Sequence, residues 1–277
     1  MLTAGPAVAA ALDPWSTAPR LLATVVLWAV WGAGLLATLV PRPAGLTVLR
    51  VAAGLAVLVA VLATGDASAG ESAAGLVGTL AVVIVALNPA VGFAFVNGAA
   101  YGDERRFPLR LPPALLLGPL PLAVPVLGLG AAAGPLLLAG GHPVPGVLAV
   151  LAGWPVAAAL ARSLYSLSQR WAVLVPAGIV LKDPLALADS VLFPRERVAS
   201  LRPLPYPTAP AADVCDLRLG AATGSLVLEL TEEVTVVRTS ARRRGGEMVR
   251  ARRLAFSPRL PDLLLADATR RRTASAG

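Results

Sequence analysis

The chain has 277 residues, of which 56% are hydrophobic and 14% are charged, with a mean hydropathy of +0.73. Soluble domains usually contain about 25% charged residues, so this composition excludes an ordinary single soluble domain. The formal net charge is +8. Residues 162–277 hold 18 of the Lys and Arg and 11 of the Asp and Glu. This uneven distribution indicates two domains, one in lipid and one in water.

Five segments are long and apolar enough to cross a membrane, because a spanning helix needs about 20 mostly apolar residues. The segments are 21–40, 46–64, 73–96, 112–139 and 144–161. Arg50, near the start of the second segment, can reach the interface with its long side chain. We therefore expect an N-terminal segment at 1–20, followed by a transmembrane domain at 21–163.

The loop arginines alternate and predict an orientation. The first loop holds Arg42, the third holds Arg105, Arg106 and Arg110, and Arg162 follows the fifth span. The second and fourth loops contain neither Arg nor Lys. Because cytoplasmic loops carry the excess of basic residues, the N-terminus is predicted outside the cell membrane and the C-terminal domain in the cytoplasm.

Residues 164–277 contain short apolar runs separated by turns, which are typical of strands. Strands are predicted at 171–175, 179–182, 191–193, 198–201, 214–219 and 248–256, with a hairpin formed by 225–230 and 234–238. A helix starting at Ser257-Pro258 or Leu260-Pro261 ends at Arg270-Arg271-Arg272. The predicted fold is a membrane all-α bundle of about five helices plus a small β-rich barrel or sandwich with one terminal helix.

Two resemblances rest on this order and on short sequence stretches. Residues 170–272, with Gln169-Arg170-Trp171, 176–180 and Leu192-Phe193, resemble the bacterial pleckstrin-homology-like domains. The resemblance implies a strand-rich barrel closed by a C-terminal helix. The whole chain, including Tyr101-Gly102-Asp103-Glu104-Arg105-Arg106-Phe107-Pro108, also looks like a group of multi-pass membrane proteins of high-GC actinobacteria. That second resemblance implies no activity.

Polar residues in the membrane half form one candidate site. Asn88 precedes Pro89 inside the third segment, where an amide either bonds to a neighbouring helix or contributes to a substrate or ion site. Asp103, Glu104, Arg105 and Arg106 form either an ion-binding or docking site or a topogenic loop. Separately, Gly130 and Gly134 have a spacing that favours close helix packing or a homo-oligomer.

The C-terminal end of the chain is basic and forms a second candidate site. The predicted lipid-binding or partner-binding residues are Arg242, Arg243, Arg244, Arg250, Arg252 and Arg253. Phe256 is the only aromatic residue between Arg238 and Arg272, which disfavours nucleic acid. Anionic headgroups or a protein partner are the expected ligands, and a solvated charge run is the alternative.

The chain lacks motifs for catalysis or cofactors. His142 is the only histidine and has no Cys near it, so no zinc site and no metal or cofactor are predicted. We expect no catalytic residues and a non-catalytic membrane protein whose cytoplasmic domain binds a protein partner, itself or anionic lipid. A transporter or channel subunit and a membrane enzyme acting on lipid or cell-envelope substrates are the alternatives.

Overall fold

The computed structural model describes residues 4–205, 213–240 and 245–271. The chain forms two compact units. The helical unit comprises Met1–Phe95 and Gly118–Tyr165, and the two-sheet unit comprises Val96–Leu117 and Ser166–Gly277. The predicted transmembrane domain includes 96–117, whereas the structure builds this segment into the two-sheet unit.

From residue 4 onward, where its description begins, the helical unit contains five helices that are long and apolar enough to cross a membrane. Its helices are α1 (Gly5–Leu12), α2 (Thr17–Leu39), α3 (Pro43–Leu62), α4 (Ala69–Leu87), α5 (Pro89–Asn97), α7 (Pro119–Ala139) and α8 (Pro143–Leu167). The short α6 (Pro113–Leu117) precedes α7 and belongs to the two-sheet unit. The candidate spans are α2, α3 with its 3-10 extension to Gly65, α4, α7 and α8.

The third candidate span, α4, ends at Leu87, earlier than the predicted 73–96, because Asn88 and Pro89 interrupt the helix. Asn88 Oδ1 accepts a hydrogen bond of 2.8 Å from Ala90 N, so the amide caps the first turn of α5. Because the N–H of Ala90 bonds to Asn88, it does not bond to the carbonyl of Ala86, four residues earlier. That carbonyl accepts a hydrogen bond of 3.3 Å from Arg50 Nε on α3. The side chains of Asn88 and Arg50 therefore satisfy backbone groups at a helix break.

Glycines bring α7 and α8 together. A methyl group on Gly153 would lie 2.4 Å from Gly130 O, and one on Gly134 would lie 2.7 Å from Val150 N. Trp154 Nε1 also donates to Ala131 O at 3.3 Å. The predicted close packing at Gly130 and Gly134 is therefore found between two helices of one chain.

The short α1 packs beside the connection between α3 and α4. Ala4, Ala7 and Val8 form a buried cluster with Ala63. Trp15 and His142 line one open cleft of about 420 Å³. The N-terminal segment thus contacts the second loop and lies near the fourth, the two loops that lack basic residues.

The described residues of the two-sheet unit form eight strands in two four-stranded sheets, ordered β1-β2-β3-β4 and β5-β7-β8-β6. The strands are β1 (Arg105–Pro108), β2 (Trp171–Val175), β3 (Gly178–Lys182), β4 (Val191–Pro194), β5 (Val198–Pro203), β6 (Val214–Asp216), β7 (Leu226–Arg238) and β8 (Glu247–Phe256). The described strands do not close into a barrel. The helix α9 (Pro261–Arg270) follows β8, which confirms one terminal helix.

The first strand comes from the connection between the third and fourth spans. β1 pairs antiparallel with β2, with Arg105 opposite Leu174 and Pro108 opposite Trp171. The helices α6, α7 and α8 therefore occupy the loop of a β-hairpin. The structure shows that this segment, for which a topogenic loop was one expectation, forms an edge strand in which Phe107 is fully buried.

The predicted hairpin at 225–230 and 234–238 is wrong, because one strand, β7, runs through both segments. It pairs with β8 along its length, with an irregular register between Glu229 and Val234. The exposed Glu232 and Glu233 lie at this irregularity. Two adjacent acidic residues resemble a turn in the sequence, but a bulge also accommodates them.

Candidate binding surfaces of the two-sheet unit

Polar groups stabilise the inter-span segment, residues 96–117, which contributes β1, both within the segment and against the rest of the two-sheet unit. Asn97 mimics a neighbouring strand, since its Nδ2 donates to Arg106 O at 2.8 Å and its Oδ1 accepts from Arg106 N at 2.9 Å. Arg170 forms a buried bidentate ion pair with Asp183, with both N–O distances 2.7 Å. The same guanidinium donates to Arg110 O at 2.8 Å, so the pair also holds the end of β1.

A groove of about 330 Å³ lies on one face of the first sheet. Its floor contains Trp171, Val173 and Val180, and charged side chains form its rim. Arg106 Cζ and Lys182 Nζ lie 5.4 Å and 5.0 Å from the centre of the Trp171 ring, within cation–π range. Trp171 is therefore enclosed between β1 and β3.

The rim charges of this groove are already paired within the unit. Arg106 Nε donates to Glu104, and this hydrogen bond lowers the pKa of the Glu104 carboxyl despite the opposing effect of burial. Lys182 Nζ donates to Gln169 Oε1 at 3.2 Å. These cations already have partners and cover an aromatic ring. The side chains of the groove therefore chiefly hold the inter-span segment on the sheet.

The terminal helix contacts the same segment from the other side. Asp267, 2% exposed on its side chain, lies 2.9 Å from Arg105 Nε and 2.7 Å from Arg270 Nη2. Arg271 donates to Asp103 O. Of the four residues that the sequence singled out together, Glu104 and Arg106 pair with each other, Arg105 pairs with Asp267, and Asp103 accepts through its backbone carbonyl. Asn88 belongs to the other unit.

The arginines predicted at the basic end of the chain have different environments. Arg253 pairs with Glu229 at 3.0 Å and with Asp213 at 3.1 Å, and hydrogen bonding to Arg253 lowers the pKa of Glu229. Arg252 donates to Leu230 O at 3.0 Å, whereas Arg250 is exposed. Arg242, Arg243 and Arg244 lie outside the described residues.

Two further arginines lie close together where β1 ends and α9 begins. Leu109 forms an isolated antiparallel bridge with Pro258, which brings Arg110 and Arg259 together. Burial and the charge of Arg110 both lower the pKa of Arg259. The Nε of Arg110 is buried and has no hydrogen-bond acceptor among the described residues. This concentration of positive charge can accept an anion.

Hydroxyl groups meet nearby but are held by the backbone. Ser225 Oγ and Ser257 Oγ are 3.0 Å apart, and they donate to Ala222 O and Ala221 O, respectively. The chain's single histidine, His142, belongs to the helical unit. Across residues 4–205, 213–240 and 245–271, no group of three or more His, Cys, Asp or Glu is arranged to hold a metal.

The sequence predictions missed Arg110, Arg170, Arg259 and Asp267 as interacting residues. A usable signal was the pair of apolar residues Phe107 and Leu109 at alternate positions, flanked by Arg106 and Arg110, which is typical of a short strand. Four residues are too few to separate such a strand from a loop without knowledge of its partner.

Comparison of the chain with protein-family models, curated proteins and solved structures finds no match.

Proposed function

We propose that this chain is a membrane-anchored, non-catalytic binding protein whose two-sheet unit lies in the cytoplasm and binds anionic lipid headgroups. The observation that carries the proposal is the insertion of two candidate spans between paired strands of a strongly basic unit. Val96–Leu117 and Ser166–Gly277 contain 20 Lys and Arg against 13 Asp and Glu, a formal net charge of +7.

Short connections support a location close to the bilayer. Only Ser168 to Arg170 separate the end of α8 from β2, and only Leu109 to Pro112 separate β1 from α6. A chain extends by at most about 3.6 Å per residue, so β2 begins within about 15 Å of the end of α8. Headgroup charges act over a Debye length of about 8 to 10 Å, and each basic residue near them contributes about 1 kcal/mol.

The pairing of β1 with β2 also supports the proposed orientation. Both strands have to lie on one side of the membrane, which agrees with α7 and α8 each crossing once. The loop arginines favour the cytoplasm for that side. The packing of Ala7 against Ala63 agrees with a shared outer side for the N-terminal segment and the second loop.

We further propose that the two-sheet unit is a variant of the pleckstrin-homology-like architecture. Two mainly antiparallel sheets followed by one helix support this relation. The unit departs from the expected pattern in two respects: its first strand comes from an inter-span segment, and β6 pairs parallel with β8.

Hydrogen–deuterium exchange of the full chain in lipid nanodiscs tests lipid binding. One set of nanodiscs contains phosphatidylcholine alone, and the other also contains phosphatidylglycerol. We expect slower exchange in the two-sheet unit with phosphatidylglycerol, and loss of this difference at about 1 M salt, where the Debye length falls to about 3 Å. Equal exchange in both nanodiscs at low salt would contradict the proposed function.

Thiol labelling tests the orientation in intact cells. In a Cys215→Ser background, a membrane-impermeant reagent should label Ser68→Cys and His142→Cys but not Gly102→Cys. Labelling at position 102 without labelling at 68 and 142 would reverse the proposed orientation.

A further inference from the structure

We propose that Arg110 and Arg259 bind a phosphate group beside the N-terminus of α9. This inference rests on the proposed function and names the group that the two-sheet unit recognises. Phosphate could come from a lipid headgroup or from a soluble molecule, and the test below separates these sources.

Strand pairing places the two arginines on one face. Arg110 N donates to Ser257 O and Arg259 N donates to Pro108 O, both at 2.8 Å, on either side of the bridge between Leu109 and Pro258. Alternate residues of a strand project to the same face, so Arg110 and Arg259 are diagonal neighbours. Such neighbours lie about 7 to 8 Å apart, a distance that one tetrahedral anion can bridge with two long side chains.

The guanidinium of Arg110 lies beside the first residue of α9. A methyl group on Gly224 would be 3.2 Å from Arg110 Nη2 and 3.2 Å from Pro261 Cγ, so Gly224 touches both. Gly224 has φ of +63°, a conformation that favours glycine. The N-cap residue of α9, Leu260, provides no side-chain hydrogen bond, and the N-terminal end of a helix is partially positive.

Positive charge is not offset locally at Arg110. The ion pairs of the described residues do not include Arg110. The first turn of α9 contains one acidic residue, the exposed Asp262. A phosphate supplies further negative charge, and its oxygens match the paired donors of a guanidinium.

The position of Arg110 in the chain favours a lipid headgroup as the source. Arg110 precedes the candidate span Pro119–Ala139 by nine residues, so the site lies on the segment that leads into the membrane. Both arginine side chains are half-buried, which leaves part of each available to a ligand.

The test uses the full chain purified in a neutral detergent, with native mass spectrometry to count bound lipids. Phosphatidylglycerol and phosphatidylcholine are the lipid probes, and pyrophosphate is the soluble probe, followed by thermal unfolding. We expect preferential retention of phosphatidylglycerol, and a loss of affinity of about tenfold, or about 1.4 kcal/mol, for each of Arg110→Gln and Arg259→Gln. Arg202→Gln, an exposed arginine on β5, is the matched control and should bind as the unaltered chain does.

Arg110→Lys keeps the charge but loses the paired donors, and we expect it to bind more weakly than the unaltered chain and more tightly than Arg110→Gln. The unfolding temperature of each variant without ligand shows whether it is folded. If Arg110→Gln unfolds, Arg110→Lys and Arg259→Gln remain to test the site.

Each outcome decides between the two proposals. If folded Arg110→Gln and Arg259→Gln retain phosphatidylglycerol as the unaltered chain does, the site is wrong and the proposed function stands. If pyrophosphate binding depends on both arginines but phosphatidylglycerol is not preferred, the site stands for a soluble phosphate and the lipid function is wrong. If neither probe binds, both are wrong.

Discussion

The two units bury opposite kinds of side chain. In the helical unit the buried positions are mostly small, such as Ala37, Ala53 and Ala86, while large side chains such as Leu148 are exposed. Among the described residues, all of the largest fully buried side chains belong to the two-sheet unit and are distributed over both sheets and α9. They include Phe107, Phe193, Phe256 and Leu228.

This reversal follows from the solvent that each unit requires. Lipid tails are as apolar as leucine, so helices gain little by burying large side chains and associate through close backbone contact. In water, burial of large apolar side chains provides the main driving force for folding. The same chain therefore follows two packing rules, and substitutions should have opposite consequences in the two units.

The largest loss of stability is expected when a charge is placed in the core of the two-sheet unit. Leu228 is 0% exposed and pairs with Leu201 and Leu254. Leu228→Asp buries a carboxylate among apolar groups, so we expect the two-sheet unit to unfold, with a cost of at least about 3 kcal/mol. Limited proteolysis of the full chain should show rapid cleavage after residue 166. Leu192→Asp, at a position that is 47% exposed, is the control and should resist cleavage as the unaltered chain does.

A bulky residue at a glycine contact should disrupt the helical unit next most strongly. Gly153→Leu places a side chain against the backbone of Gly130, and overpacking of this kind costs about 1 to 3 kcal/mol. Gly32→Leu is the matched control, because a methyl group there meets nothing within 4 Å. Thermal unfolding in detergent should show a lower midpoint for Gly153→Leu alone. Equal midpoints would contradict close packing of α7 on α8.

A buried carboxylate in the two-sheet unit should contribute more than an exposed one in the helical unit. Asp267→Ala removes the hydrogen bond of 2.7 Å from Arg270 and the ion pair of 2.9 Å with Arg105, and a hydrogen bond to a charged group contributes about 1.5 to 3 kcal/mol. Asp13 pairs with Arg20, with side chains 78% and 51% exposed, so Asp13→Ala should cost no more than about 1 kcal/mol. Chemical denaturation of both variants measures the difference. A larger effect at Asp13 would contradict it.

The smallest effect concerns pH. The hydrogen bond from Arg106 keeps the pKa of Glu104 below its ordinary value of about 4.3. The stability that ionised Glu104 contributes is therefore present above about pH 4.3, and it is lost as the pH falls through the lowered pKa of Glu104 in the folded state. Glu104→Gln should reduce the acid sensitivity of the two-sheet unit in pH-dependent unfolding. Glu233→Gln, at an exposed position, should leave the profile unchanged.

Long elements could be predicted from the sequence, and contacts between distant segments could not. Five candidate spans and most strands follow from apolar periodicity and length, which are local properties. The strand at Arg105 has four residues, and its pairing with β2 depends on a neighbour that follows three helices later in the chain. Asp267 and Arg105 likewise are 162 positions apart in the printed sequence, so no local pattern links them.

The central claim is that the inter-span segment is part of the two-sheet unit. The structure predicts that residues 96–110, joined through a short glycine-rich turn to 169–277, form a soluble β-rich protein. Arg110 and Arg170 lie together at the end of the β1–β2 pair from which α6, α7 and α8 extend, since Arg170 Nη1 donates to Arg110 O at 2.8 Å. A short turn can therefore replace these three helices.

Chemical denaturation of this fusion and of residues 169–277 alone, monitored by circular dichroism, tests the claim most directly. The fusion should unfold cooperatively, and the shorter protein should be markedly less stable because it lacks β1 and leaves Asp267 without Arg105. Equal stability of the two proteins would show that the inter-span segment is not part of the folded unit.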